Sequence, residues 1–132
     1  MNGYFISNID PDESEEVLNS INLDETLFII VSKSGNTLET TANMKFLINK
    51  LKSNGIKEYK KQMAIITLKN SMLAVEETGC LEYFFMHDSI GGRFSPTSAV
   101  GLTLLTLCFT EKIVKEILKG ANKTDKKSLN KT

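Results

Sequence analysis

The hydroxyls of Ser32, Ser34 and Thr37 fall within six residues, with Lys33 and Gly35 between them. Three O–H donors, an ammonium group and a residue that lets the backbone approach a ligand suit a phosphate monoester, which takes many donors and gains from charge-assisted hydrogen bonds. The segment follows the apolar run Leu27 to Val31 and precedes a helical pattern. Its N–H groups should therefore gather at a helix N-terminus, where unpaired donors and the helix dipole attract anions. The same residue types also make an ordinary capped turn, with Ser34 or Asn36 capping the helix and Lys33 in water. Spacing alone leaves both readings open.

A second segment, Gly91-Gly92-Arg93-Phe94-Ser95, holds the single arginine among sixteen basic residues. It follows the apolar run Leu81 to Met86, at the end of a strand where α/β folds place their ligands. A guanidinium there can stabilise negative charge developing on a substrate oxygen, and Gly92 can present a backbone N–H beside it. A surface arginine in a glycine-rich turn is the competing reading. The lone histidine, His87, lacks companions at metal-ligand spacing, so a structural role is expected and no metal site. Asp88 beside it suits side-chain-to-backbone bonds that hold the following loop. Glu39, one turn into the predicted helix, is explained by the helix dipole. Cys80 and Cys108 show neither metal spacing nor a disulfide framework and read as reduced thiols, with Cys108 as packing material in an apolar stretch.

The elements that must position these groups alternate along the chain. Tyr4 to Ser7 reads as a strand entering a turn-rich loop, and Pro11 to Asn22, with early acids and Val17, Leu18 and Ile21 on one side, as a helix. Thr26 to Val31 reads as a strand covered on both faces. Met44, Leu47, Ile48 and Leu51 recur at helical spacing before the stop Ser53-Asn54-Gly55. Gln62 to Leu68 is a third strand, Ser71 to Thr78 a short helix, and Leu81 to Met86 a fourth strand. Ser95 to Lys119 reads as one helix ending at Gly120. Alternating strands and helices predict an α/β fold with a parallel sheet of about four strands flanked by helices. Residues 122–132 are polar and lysine-rich and read as a solvated, mobile tail.

At 132 residues and 41% apolar content the chain can build a core within one domain. Its sixteen basic and sixteen acidic residues cancel, so no global field favours nucleic acid or an anionic membrane, and an anion site must be local. No apolar run approaches the roughly 20 residues of a membrane span, and no signal peptide is visible. A cytoplasmic protein is expected.

Ser-Lys-Ser-Gly-Asn-Thr-Leu-Glu-Thr at 32–40 resembles the phosphosugar-binding loop of sugar isomerase domains, and Gly-Gly-Arg-Phe-Ser at 91–95 is similar to the signature of the glucose-6-phosphate isomerase family. The loop reads Ser-Gly-Asn where many of these isomerases carry Thr-Phe-Thr, which brings it nearer the wider sugar isomerase group. The resemblance implies a flavodoxin-like sugar isomerase domain over residues 1–121, incomplete at both ends, with its first strand and a Gly-Gly-Ser phosphate loop lying before Met1. It implies that Ser32, Lys33, Ser34 and Thr37 bind the substrate phosphate, that Gly92 lies beside the reacting carbons, and that Arg93 is catalytic, stabilising an enediolate. The implied reaction interconverts glucose 6-phosphate and fructose 6-phosphate, without cofactor or metal. Members of the family are homodimers of several hundred residues, with two such domains. Their catalytic glutamate, histidine and lysine would lie beyond Thr132, so the chain alone is expected to be inactive. A sugar-phosphate-binding module without chemistry is the alternative, against which the Gly-Gly-Arg segment counts.

Overall fold

In the computed structural model, which describes residues 2–76 and 79–129, three parallel strands lie side by side in chain order: β1 (Phe28–Val31), β2 (Met63–Thr67) and β3 (Glu82–Phe85). All five residues of β2 are buried, as a central strand covered on both faces requires, and this explains its apolar run from Met63 to Ile66. β1 pairs Phe28 with Met63 through Val31 with Ile66, and β3 pairs Glu82 with Ala64 through Phe85 with Thr67. The α/β class and the parallel sheet are as expected, but among the described residues the sheet has three strands rather than about four. Tyr4 to Ser7 forms no strand, and Tyr4 and Phe5 are exposed. Its apolar composition is suited to cover, but a strand also needs a neighbour's N–H and C=O groups.

The chain divides into two compact units, Met1–Asp88 and Ser89–Thr132. In the first, helices α1 (Pro11–Ser20), α2 (Leu38–Ser53) and the short α3 (Met72–Glu76) accompany the sheet. The core gathers Leu18 from α1, Phe28 from β1, Met44, Leu47 and Leu51 from α2, Met63 and Ile65 from β2, and Leu73 from α3. α2 ends as the sequence predicts: the Gly55 N–H donates to the Lys52 carbonyl and the Ile56 N–H to the Leu51 carbonyl, with Gly55 at φ +82°. That pair of hydrogen bonds is the glycine-terminated helix cap, and Ile56 then packs against the core. α1 begins on Asp10, whose carboxylate accepts the N–H groups of Asp12 at 3.0 Å and Glu13 at 3.4 Å, with Pro11 in the first turn. Asp10→Ala should therefore lower the stability of the chain by about 1 kcal/mol, read from the denaturant midpoint.

The second unit departs from the expected single helix. Gly92–Phe94 forms one 3₁₀ turn, α4 spans Ala99–Cys108, and α5 spans Glu111–Leu129. Pro96 and Thr97 precede α4, whose first turn is capped by Ser98, the side chain accepting the Val100 N–H at 3.3 Å. Phe109, at φ −127° and ψ 166°, leaves helical geometry, and the Thr110 carbonyl accepts the Val114 N–H to start α5. Gly120 does not stop α5. A glycine inside a helix costs only about 1 kcal/mol, and the lysines that follow are good helix formers. Residues 122–129 are thus helical and exposed, while 130–132 of the expected tail lie outside the described residues, as do Glu77 and Thr78 of the predicted short helix. Cys108 is exposed at the end of α4 rather than serving as packing.

Candidate functional site

The turn from β1 into α2 carries the first set of chemistry-bearing residues, and two of its elements fix its shape. Beyond the last residue of β1 the ladder with β2 continues: the Ser32 N–H donates to the Ile66 carbonyl at 3.1 Å, and the Leu68 N–H to the Lys33 carbonyl at 3.2 Å. The chain then reverses at Gly35, whose φ of +82° is open to glycine and strained for other residues. Gly35 is buried against the start of α3, where an added Cβ would lie 2.7 Å from the Leu73 nitrogen.

The four expected phosphate donors do not play one role. Ser32 is buried, 5% exposed, and its Oγ accepts the Gly35 N–H at 3.2 Å while lying 3.1 Å from the Thr37 Oγ1. It braces the loop from within. Lys33, Ser34 and Thr37 are exposed. Among the described residues the Ser34 hydroxyl is reached only by the Asn36 N–H, at 3.5 Å. The Thr37 side chain makes no cap bond to α2, so the first N–H groups of a 16-residue helix are left uncapped by it beside these side chains. Such a helix start, preceded directly by the Ser34 and Thr37 hydroxyls, is a ready place for an anion.

Lys33 donates to the Asp88 carbonyl, and its Nζ lies 3.5 Å from the Asp88 Oδ1. Asp88 was expected to hold its own loop; instead it faces the lysine. The pair is solvent-exposed, with 42% and 87% side-chain exposure, so it is weak and an arriving anion can compete for the ammonium group. His87 is exposed, and among the described residues no cluster of histidine, cysteine and carboxylate side chains is placed to hold a metal.

In the second unit Gly92 and Arg93 lie in the 3₁₀ turn, both exposed. Ser95 fixes that turn, donating from its N–H at 3.3 Å and its Oγ at 2.7 Å to the Gly92 carbonyl. Arg93 has no hydrogen-bonding or ion-pairing partner among the described residues, which leaves its fork of donors available.

Sequence reasoning missed Thr67 and Ser71. Thr67, 0% exposed at the end of β2, donates from Oγ1 to the Ser32 carbonyl at 2.7 Å, lies 3.3 Å from the Lys33 carbonyl, and hydrogen-bonds the Ser71 Oγ at 2.6 Å. Ser71 in turn accepts the Ala74 N–H at 3.2 Å. The available signal was a hydroxyl closing an otherwise apolar strand. Away from the loop, burial pushes the Tyr83 hydroxyl's pKa above its ordinary value, opposed by the hydrogen bond it accepts from the Cys80 N–H. It stays a neutral phenol on β3.

The family model for phosphoglucose isomerase matches residues 1–132. A glucose-6-phosphate isomerase of Borrelia garinii subsp. bavariensis is 96% identical over 131 residues, covering 99% of this chain and 25% of that protein. The glucose-6-phosphate isomerase of Treponema denticola is 52% identical over the same length and covers 25% of its own. The crystal structure of a glucose-6-phosphate isomerase from Chlamydia trachomatis aligns with a TM-score of 0.69 at 42% identity, over 74% of this chain and 19% of that one. A hypothetical protein from Thermus thermophilus aligns with a TM-score of 0.82 at 28% identity, over 92% of this chain and 29% of that one. The chain thus spans about a quarter of the length of the curated relatives it matches.

Proposed function

This chain belongs to the phosphoglucose isomerase family, and we propose that, within a protein of its relatives' length, it supplies the sugar-phosphate grip and an electrophilic arginine for interconverting glucose 6-phosphate and fructose 6-phosphate. The exposed turn at the start of α2 supports this most. Lys33, Ser34 and Thr37 would bind the phosphate dianion together with the uncapped N–H groups of α2, while Ser32 keeps the turn in shape. In this reaction a proton moves between the first two sugar carbons, and negative charge appears on an enediolate oxygen in between. Arg93 would meet that charge with a bidentate fork, and the Gly92 N–H would add a donor. Glu39 is the one acid in the first turn of α2, where the helix dipole accounts for it. The acid and base of the reaction are therefore assigned to segments other than this one. Family membership also supports a cytoplasmic homodimer. None of the described helices is long and apolar enough to cross a membrane.

Calorimetric titration of residues 1–132 with fructose 6-phosphate tests the grip. Binding should weaken about tenfold in Lys33→Ala, the loss of one charge-assisted contact to a phosphate, and the sample should show no isomerisation. Equal affinity of the two proteins would remove Lys33 from the site. Turnover by the chain alone would place the acid and base within it.

A further inference from the structure

The loop donors are exposed, so something beneath them must decide where they stand. Among the described residues, the hydroxyl that reaches the loop from the sheet is that of Thr67. It is fully buried at the end of β2 and bonds backward to two successive loop carbonyls, Ser32 at 2.7 Å and Lys33 at 3.3 Å, and sideways to Ser71 at 2.6 Å. Ser71, 5% exposed, holds the first turn of α3 through the Ala74 N–H, and that same helix start is what Gly35 abuts. One buried pair of hydroxyls thus ties β2, the loop carbonyls and the start of α3 together.

We propose that Thr67 is a positioning residue for the phosphate loop, acting with Ser71 to hold the Ser32 and Lys33 carbonyls toward β2 so that the Lys33 and Ser34 side chains stand at the start of α2. This rests on the assignment of that loop to the substrate phosphate. Thr67 touches no substrate. Without the Thr67 hydroxyl the Lys33 carbonyl keeps the Leu68 N–H, but the Ser32 carbonyl must find another donor, and the loop between its two ladder bonds to β2 can shift to do so. An isosteric change that removes only the hydroxyl keeps the volume and exposes this dependence.

The test uses the full-length Borrelia relative with residues 1–132 of this chain in place of its 96%-identical counterpart. Inhibition by inorganic phosphate reads the grip without chemistry, and kcat and KM for fructose 6-phosphate read the reaction. Thr67→Val should raise Ki for phosphate and KM together by about tenfold with kcat within about twofold, and Thr67→Ser should restore both. Ser71→Ala should give a smaller rise, about threefold, and covers the case in which the valine variant does not fold. Unchanged Ki in a folded Thr67→Val protein, or in Ser71→Ala where the valine variant is lost, overturns the proposal, as does a fall in kcat alone. Lys33→Ala serves as the reference. If it too leaves Ki unchanged, the assignment of the loop to phosphate is what has failed. If Lys33→Ala raises Ki while the Thr67 and Ser71 variants do not, the loop binds phosphate without this support.

Discussion

Arg93→Ala in the full-length enzyme should lower kcat by about 10²–10³-fold while KM for fructose 6-phosphate moves little. The size follows from where the charge appears. The substrate's phosphate is charged before and after the reaction, but the oxygens on the first two carbons become strongly negative only in the enediolate. A donor aimed at them is therefore worth more at the top of the barrier than in the ground state. Arg93 suits that role because its guanidinium has no partner to leave among the described residues and its turn is fixed by two Ser95 bonds to the Gly92 carbonyl. Arg93→Lys keeps the charge but loses the planar fork, so it should recover only part of the rate. The split between parameters decides the role. A rise in KM with kcat preserved would make Arg93 a ground-state binding group and would remove it from the chemistry.

Much of this arrangement was legible in the sequence wherever the determining interactions are local. β2 announced itself because a strand buried on both faces is mostly apolar, and Met63 to Ile66 is an apolar run buried throughout. α2 was readable because Met44, Leu47 and Leu51 share a stripe and Asn54-Gly55 closes it. The hydroxyls and the ammonium group of residues 32–37 are contiguous, so a candidate anion site was visible as a string. The rest depends on partners far away in sequence. Thr67 meets Ser32 across 35 residues and Lys33 meets Asp88 across 55, and nothing in their local spacing announces either contact. That the Ser32 hydroxyl is buried and accepts the Gly35 N–H was not legible, because residue type does not reveal which way a hydroxyl faces. The Tyr4 to Ser7 run misled because composition does not supply a ladder partner. The break at Phe109 was hidden because α4 is apolar around most of its circumference, which leaves no change of periodicity to mark its end.

Gly35→Ala should destabilise residues 1–132 by about 2–5 kcal/mol, of which about 1–2 comes from forcing a side chain into the left-handed region and the remainder from overpacking. The steric part is specific to this glycine. Its added Cβ would lie 2.7 Å from the Leu73 nitrogen and 3.1 Å from the Met72 nitrogen, both backbone atoms of α3 that cannot step aside as a flexible side chain would. Gly55 supplies the control: it has the same φ of +82°, but nothing lies within 4 Å of its added Cβ. Gly55→Ala should therefore cost only the conformational part, about 1–2 kcal/mol. Denaturant unfolding of the two variants measures the difference, and equal losses would show that α3 yields to the methyl group. A domain whose whole stability is of the order of 5–15 kcal/mol has little room for the larger penalty. The function should suffer before the fold does, since relieving the contact means moving either the loop away from α3 or α3 away from the sheet. Both motions pull on the Ser32, Thr67 and Ser71 hydrogen bonds that set the loop's carbonyls. At a temperature where Gly35→Ala is still folded, its affinity for inorganic phosphate should already be lower than that of Gly55→Ala, because only the first substitution strains the loop proposed to hold phosphate.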